Sequence, residues 1–129
     1  MAHTDRIALC PGTFDPVTYG GVRYEIAQAN NALIFPGLGL GVTVARARRV
    51  SDAMLAAAAA ALAGLTDAAT PGAAVLPPVT HLREVSAAVA TAVAQAAQAE
   101  GLAQAQLDDP AKQVAQAMWT PEYPTIQPI

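Results

Sequence analysis

A chain of 129 residues, 53% of them hydrophobic, has room for one ordinary domain with a core of its own. Seven Lys and Arg against ten Asp and Glu leave a formal net charge of -3, too evenly spread for a nucleic-acid or anionic-membrane surface; the densest basic cluster is Arg46, Arg48 and Arg49. A lone cysteine, Cys10, excludes an internal disulfide framework and any Cys-rich zinc site, and fits a reducing, cytoplasmic setting.

The first residues, Met1-Ala2-His3-Thr4-Asp5-Arg6, lead into no long apolar run, so no signal peptide is expected. Arg6-Ile7-Ala8-Leu9-Cys10 is a short apolar run stopped by Pro11-Gly12, the pattern of a brief buried strand entering a turn; its cysteine reads as a small buried hydrophobe. Pro16, Gly20 and Gly21 punctuate the chain. Val22-Arg23-Tyr24-Glu25-Ile26 then alternates apolar and charged residues like a strand with one solvated face, and the two strands are expected to pair.

After the polar Gln28-Ala29-Asn30-Asn31, Pro36 suits the start of a helix over 36–49, because its missing N–H would be unpaired there anyway. Gly37, Gly39 and Gly41 weaken that helix by about 1 kcal/mol each relative to alanine, which implies close approach of another backbone or a ligand. Ser51 can cap the next helix, Asp52 complements its dipole, and the alanines that follow favour it until Gly64. The longest apolar stretch, 53–65, is too short to span a bilayer.

A Pro- and Gly-rich loop over 66–78 follows, after which Thr80 can cap a long helix reaching Glu100 and ended by Gly101, with Leu82, Val85, Val89 and Val93 forming an apolar stripe. Pro110 opens a last helix running to about Trp119, and Pro121, Pro124 and Pro128 keep the tail extended. Trp119 reads as an anchor holding that tail onto the helix, His81 as a surface histidine and Lys112 as a solvated charge. Because much of the apolar content is alanine, the core should be thin. The fold expected is mainly α with a short N-terminal β-strand pair. It forms a single domain over 1–129: a strand and loop segment over 1–27, then a helical segment over 28–129.

Gln28-Ala29-Asn30-Asn31 with Phe35-Pro36-Gly37 resembles the Gln-x-Asn-Asn block and Phe-Pro-Gly that malic enzymes carry in their nucleotide-binding domain. Further pieces agree in order: Arg48-Arg49-Val50-Ser51-Asp52 with Met54, Leu76-Pro77-Pro78 with Arg83-Glu84-Val85-Ser86, and Met118-Trp119 with Pro121-Glu122-Tyr123-Pro124. From about Pro16 onward the chain is therefore similar to the C-terminal portion of that family. The resemblance implies a piece of an α/β, Rossmann-like nucleotide-binding domain. It further implies an enzyme that oxidatively decarboxylates L-malate to pyruvate with NAD or NADP and Mg or Mn, in which Asn30 and Asn31 face the substrate carboxylate.

The family's tyrosine acid, lysine base, Glu-Asp-Asp metal cluster and Gly-x-Gly-x-x-Gly/Ala loop have no counterpart here. No catalytic or metal-ligating residue is thus expected, the cofactor-binding residues are unknown, and the chain should be inactive and cofactor-free by itself. The spacing of Gly37, Gly39 and Gly41 is wrong for a phosphate loop, and no strand-turn-helix unit is expected ahead of them.

Two other readings compete. Leu82, Val85 and Val89 could be exposed once separated from the rest of a large enzyme, making the chain an interaction module that binds that remainder or itself. The opening Pro11-Gly12-Thr13-Phe14-Asp15-Pro16 also resembles the substrate loop of phosphopantetheine adenylyltransferase, which would place Thr13 and Thr18 beside a nucleotide, although Gly21 stands where that family needs a histidine. A chimera of two gene pieces is the corresponding alternative origin.

Overall fold

The structure is a computed structural model, and it describes residues 9–10, 12, 14–67, 69–120 and 122. Two short strands, β1 (Leu9–Cys10) and β4 (Ala27–Gln28), lie parallel with Leu9 opposite Ala27. Between them β2 (Val17–Tyr19) and β3 (Val22–Tyr24) form an antiparallel hairpin. Gly20 and Gly21 join the hairpin at φ 59° and 80°, the two left-handed positions that a tight two-residue turn demands. The pairing expected from sequence is thereby corrected. The Val22 strand pairs with Val17–Tyr19, while Leu9–Cys10 finds Ala27–Gln28, because the Gly-Gly turn brings the nearest extended residues together first. Positions 6–8 of the expected first strand and the Cys10 side chain lie outside the described residues.

Beyond β4 the chain is helical. Helix α1 (Phe35–Ala45) starts with Pro36 in its first turn. It ends at Ala45, four residues short of the expected end at 49, with the cap residue Arg46 left-handed at φ 49°. The cause is remote: the Ala45 carbonyl accepts N–H bonds from Gln104 and Ala105, and Arg48 N–H donates to Leu102 O, so the 102–105 segment closes the helix. Ala47 N–H donating to Val42 O adds the local bond of a left-handed helix stop.

Helix α2 (Asp52–Ala63) is built as the residues suggest, with Ser51 accepting from Met54 N–H at 3.2 Å and Gly64 as its C-terminal cap. The Ser51 hydroxyl also donates to the Glu100 carboxylate, tying the start of α2 to the far end of the next helix. That helix, α3 (Leu82–Ala99), is preceded by a 3-10 turn over Val79–His81. Thr80 is inside this turn, so the expected Thr80 cap is corrected: an N-cap needs extended backbone, and the turn begins from Pro78 instead. Gly101, at φ 67°, follows the helix end. The short helix α4 (Pro110–Ala117) has Asp109 accepting from Lys112 N–H at 3.1 Å.

Helix α3 is the centre of the body, packed against α1, α2 and α4. Its Val85, Val89 and Val93 are buried together with Leu33, Met54 and Leu107, while Ala45, Ala58, Ala94 and Ala97 fill the spaces between, the thin core that the alanine content implies. Leu82 is half-buried, while Val85 and Val89 are 1% and 0% exposed, which corrects the exposure expected of these two valines. They are covered from within, by α1 and α2.

The glycines of α1 explain how. A Cβ at Gly37 would lie 2.6 Å from Val89 Cβ, and one at Gly41 2.6 Å from the Ala90 carbonyl oxygen, so α1 reaches α3 with its backbone. Gly39 faces open space. The loop between α2 and α3 returns to the hairpin, where Glu25 N–H donates to Gly72 O at 2.8 Å. Among the described residues no helix is long and apolar enough to cross a membrane.

Candidate functional site

The Asn30 and Asn31 pair sits where β4 ends and the chain turns toward α1. Strand β4 runs parallel to β1, and the open end of a parallel strand, just before its following helix, is where α/β sheets present ligand-binding groups. A strand-turn-helix unit is therefore present, β4 then 3-10 turn then α1, correcting its expected absence. The strand is only two residues long and neither contains Gly nor Pro, which is why periodicity missed it.

The turn itself, Asn31–Leu33, is built by the pair. Asn30 has extended backbone (φ -138°, ψ 132°), and its Oδ1 accepts from Ala32 N–H at 2.9 Å. Its carbonyl accepts from Leu33 N–H at 3.1 Å, and the Asn31 carbonyl accepts from Ile34 N–H at 2.9 Å. Leu38 N–H then bonds to Ile34 O, carrying the turn into α1. Leu33, 1% exposed, plugs the turn into the core, and Gly37 seats the next turn against α3.

Both asparagines are exposed, yet they are not equivalent. Asn30 has spent its side-chain oxygen on the backbone and keeps only its NH2 donors. The Asn31 side chain has no hydrogen-bond partner among the described residues, leaving a whole amide for a ligand.

The other candidates fall elsewhere. Gly37 and Gly41 face Val89 and Val93 inside the helix pair, so they are packing glycines and not a phosphate cradle. Thr18 is exposed in the middle of β2, opposite Arg23, in a hairpin and not an open loop, and Thr13 lies outside the described residues. Arg23 and Glu25 pair at 3.0 Å on the exposed face of the same hairpin. Arg46, Arg48 and Arg49 are exposed, as is Lys112 on α4. His81 is exposed and 3.8 Å from Glu84, a long surface contact of little energetic weight.

Trp119 is 69% exposed, its carbonyl accepts from Arg83 Nη1 at 2.9 Å, and the tail it is expected to anchor lies outside the described residues. Beside that bond lies an open, mostly apolar groove of about 420 Å³, bordered by Pro36, Leu40, Leu82, Ser86 and Met118. Tyr123 and the proline-rich end lie outside the described residues. Among the described residues no group of three or more His, Cys, Asp or Glu is placed to hold a metal ion.

Sequence reasoning missed the split between the two asparagines. The sign was there: an Asn directly before a helical turn is a standard cap, and the first of the pair holds that position.

Comparison with known proteins bears on the same residues. The sequence model described as "Malic enzyme, NAD binding domain" matches residues 2–98, which takes in the opening segment as well as the Asn pair. NAD-dependent malic enzyme 3 of Bacillus subtilis is 49% identical over 116 residues, 90% of this chain. A malolactic enzyme of Lactococcus lactis is 50% identical over 107 residues, and an NAD-dependent malic enzyme of Pseudomonas aeruginosa 51% over 112, covering 83% and 85% of this chain. The chain spans about a fifth of the length of each of these relatives (20%). With its mainly helical body, its short antiparallel strand pair and a match over three-quarters of its length, the chain belongs to the malic enzyme family, within the Rossmann-like NAD-binding domain.

Proposed function

We propose that this chain supplies the part of a malate site that grips a substrate carboxylate, and that it does not turn over malate by itself. The observation that carries the reading is the Asn31 amide, exposed and unpartnered among the described residues, at the end of a parallel strand on a turn pinned by Asn30 and Leu33. A neutral amide donates to a carboxylate without introducing a cation of its own, so it orients the substrate and leaves the electrostatics of bond cleavage to other groups. The names of the relatives support malate in particular, since NAD-dependent malic enzymes, malolactic enzymes and a putative malate oxidoreductase of Mycobacterium tuberculosis match at similar identity.

In this reading the complete reaction is the oxidative decarboxylation of L-malate to pyruvate with NAD or NADP and a divalent metal. The proton-moving tyrosine and lysine, the metal ligands and the nucleotide loop come from other parts of the family's longer polypeptide. The described residues form no metal-binding cluster, and no step through the metal is assigned to them. The setting is cytoplasmic, in keeping with the single cysteine.

Two measurements test this. The purified chain incubated with malate, manganese and NAD or NADP is expected to give no reduced cofactor; robust turnover would refute the proposed division of labour. The chain's matched residues, substituted for their counterparts in the Bacillus subtilis relative, are expected to sustain malate-dependent NAD reduction. Asn31→Ala in that setting should raise the malate KM about tenfold or more, the scale of a lost hydrogen bond to a charged group. The match to malolactic enzymes favours a second reading, in which the same segment serves a malate-to-lactate reaction. The product of the active hybrid, pyruvate or lactate, separates the requirement for this segment from the outcome set by the rest of the enzyme.

A further inference from the structure

We infer that Asn30 is a positioning residue for Asn31, acting through its side-chain oxygen and the backbone of the turn without touching substrate. The inference rests on the carboxylate-gripping role given to Asn31 above. Its own basis is geometric. The Oδ1 of Asn30 accepts from Ala32 N–H at 2.9 Å, and the Asn30 carbonyl accepts from Leu33 N–H at 3.1 Å, so both oxygens of one residue hold the two amides that follow Asn31. Asn31 stands between these two fixed points, its own carbonyl held by Ile34 N–H at 2.9 Å.

Without the Oδ1 bond, the Ala32 N–H turns to water and the three-residue turn loses one of the bonds that set the direction of Asn31. A turn this short has no cooperative helix to compensate. The core side of the turn would stay in place, because Leu33 is buried and Gly37 abuts Val89 independently of Asn30. Asn30 therefore controls the aim of Asn31 and not the fold of the body.

Serine discriminates between positioning and contact, since it is as good a cap acceptor as asparagine but has no amide to offer a carboxylate. In the active hybrid described above, Asn30→Ala is expected to raise the malate KM about fivefold, the scale of a lost cap, with kcat and the NAD KM unchanged. Asn30→Ser is expected to return the malate KM to within about twofold of the parent. In the 129-residue chain itself, exchange of the Ala32 amide should speed up about fivefold in Asn30→Ala and stay near the parent rate in Asn30→Ser.

Equal impairment by alanine and serine would show that the Asn30 amide meets the substrate and would overturn the inference. An unchanged malate KM in Asn30→Ala would overturn it as well. An unchanged KM in Asn31→Ala would instead remove the site reading on which the inference rests. Exchange at Ala32 reports on the cap apart from activity, so the two failures are distinguishable. Circular dichroism checks that the helices persist, and the serine variant keeps the test open should the alanine variant lose its fold.

Discussion

The helical body and the strand segment ahead of it treat their apolar side chains in opposite ways. On α3, Val85, Val89, Val93, Ala90, Ala94 and Ala97 are withdrawn from solvent almost completely, covered by α1, α2 and α4. On the β2–β3 hairpin, Val17 and Tyr19 remain 54% and 56% exposed, with Phe14 equally open beside them. A helix can bury a stripe against neighbouring helices from either side of it in the chain, whereas a two-stranded ribbon alone has no second layer and is marginal. The body is thus held by packing and the hairpin by its turn and backbone bonds, among them Glu25 N–H to Gly72 O.

Substitutions can break that contrast, and the largest effect should come from the core. Met54→Ala removes a fully buried side chain from α2 and is expected to cost about 3 kcal/mol in urea unfolding. A loss near zero would mean that the body is not closed as described. Gly41→Ala pushes a methyl toward the Ala90 carbonyl and Val93, and a cost of about 2 kcal/mol is expected. Gly39→Ala, two residues away and facing open space, should instead stabilise the chain by up to about 1 kcal/mol. Opposite signs at these neighbouring glycines sharpen the claim that α1 meets α3 backbone-first; equal signs would sink it.

Ser51→Ala removes the α2 cap and the bond to Glu100, with about 1 kcal/mol expected from thermal unfolding. Smallest of all, Val17→Thr on the exposed hairpin should change stability by no more than about 0.5 kcal/mol. A loss several times larger would show that the hairpin is packed after all.

What could be read from the residues divides along similar lines. Features set within one turn were legible: Ser51 as a cap, Gly64 as a stop, Pro110 behind Asp109, and the Val85, Val89, Val93 stripe. Features set by distant residues were not. The end of α1 is decided by the 102–105 segment, and the partner of β1 is a dipeptide, Ala27–Gln28, that carries no strand pattern. The burial of Val89 needed Gly37 to be seen opposite it, although the glycines themselves announced that something would come close. At the candidate site, the Asn pair is marked by its resemblance to a family motif. The different work of its two members depends on one Oδ1 to N–H bond, which composition and spacing do not encode.

The closure of α1 has a consequence for how the molecule comes apart. The Ala45 carbonyl is bound by two amides, Gln104 and Ala105, that belong to the connector between α3 and α4. Peeling the connector away uncaps α1 at the same moment, and α1 is the helix that continues directly from the asparagine turn. Local opening of the α3–α4 connector is therefore shared with the C-terminal end of the helix that leaves the asparagine turn.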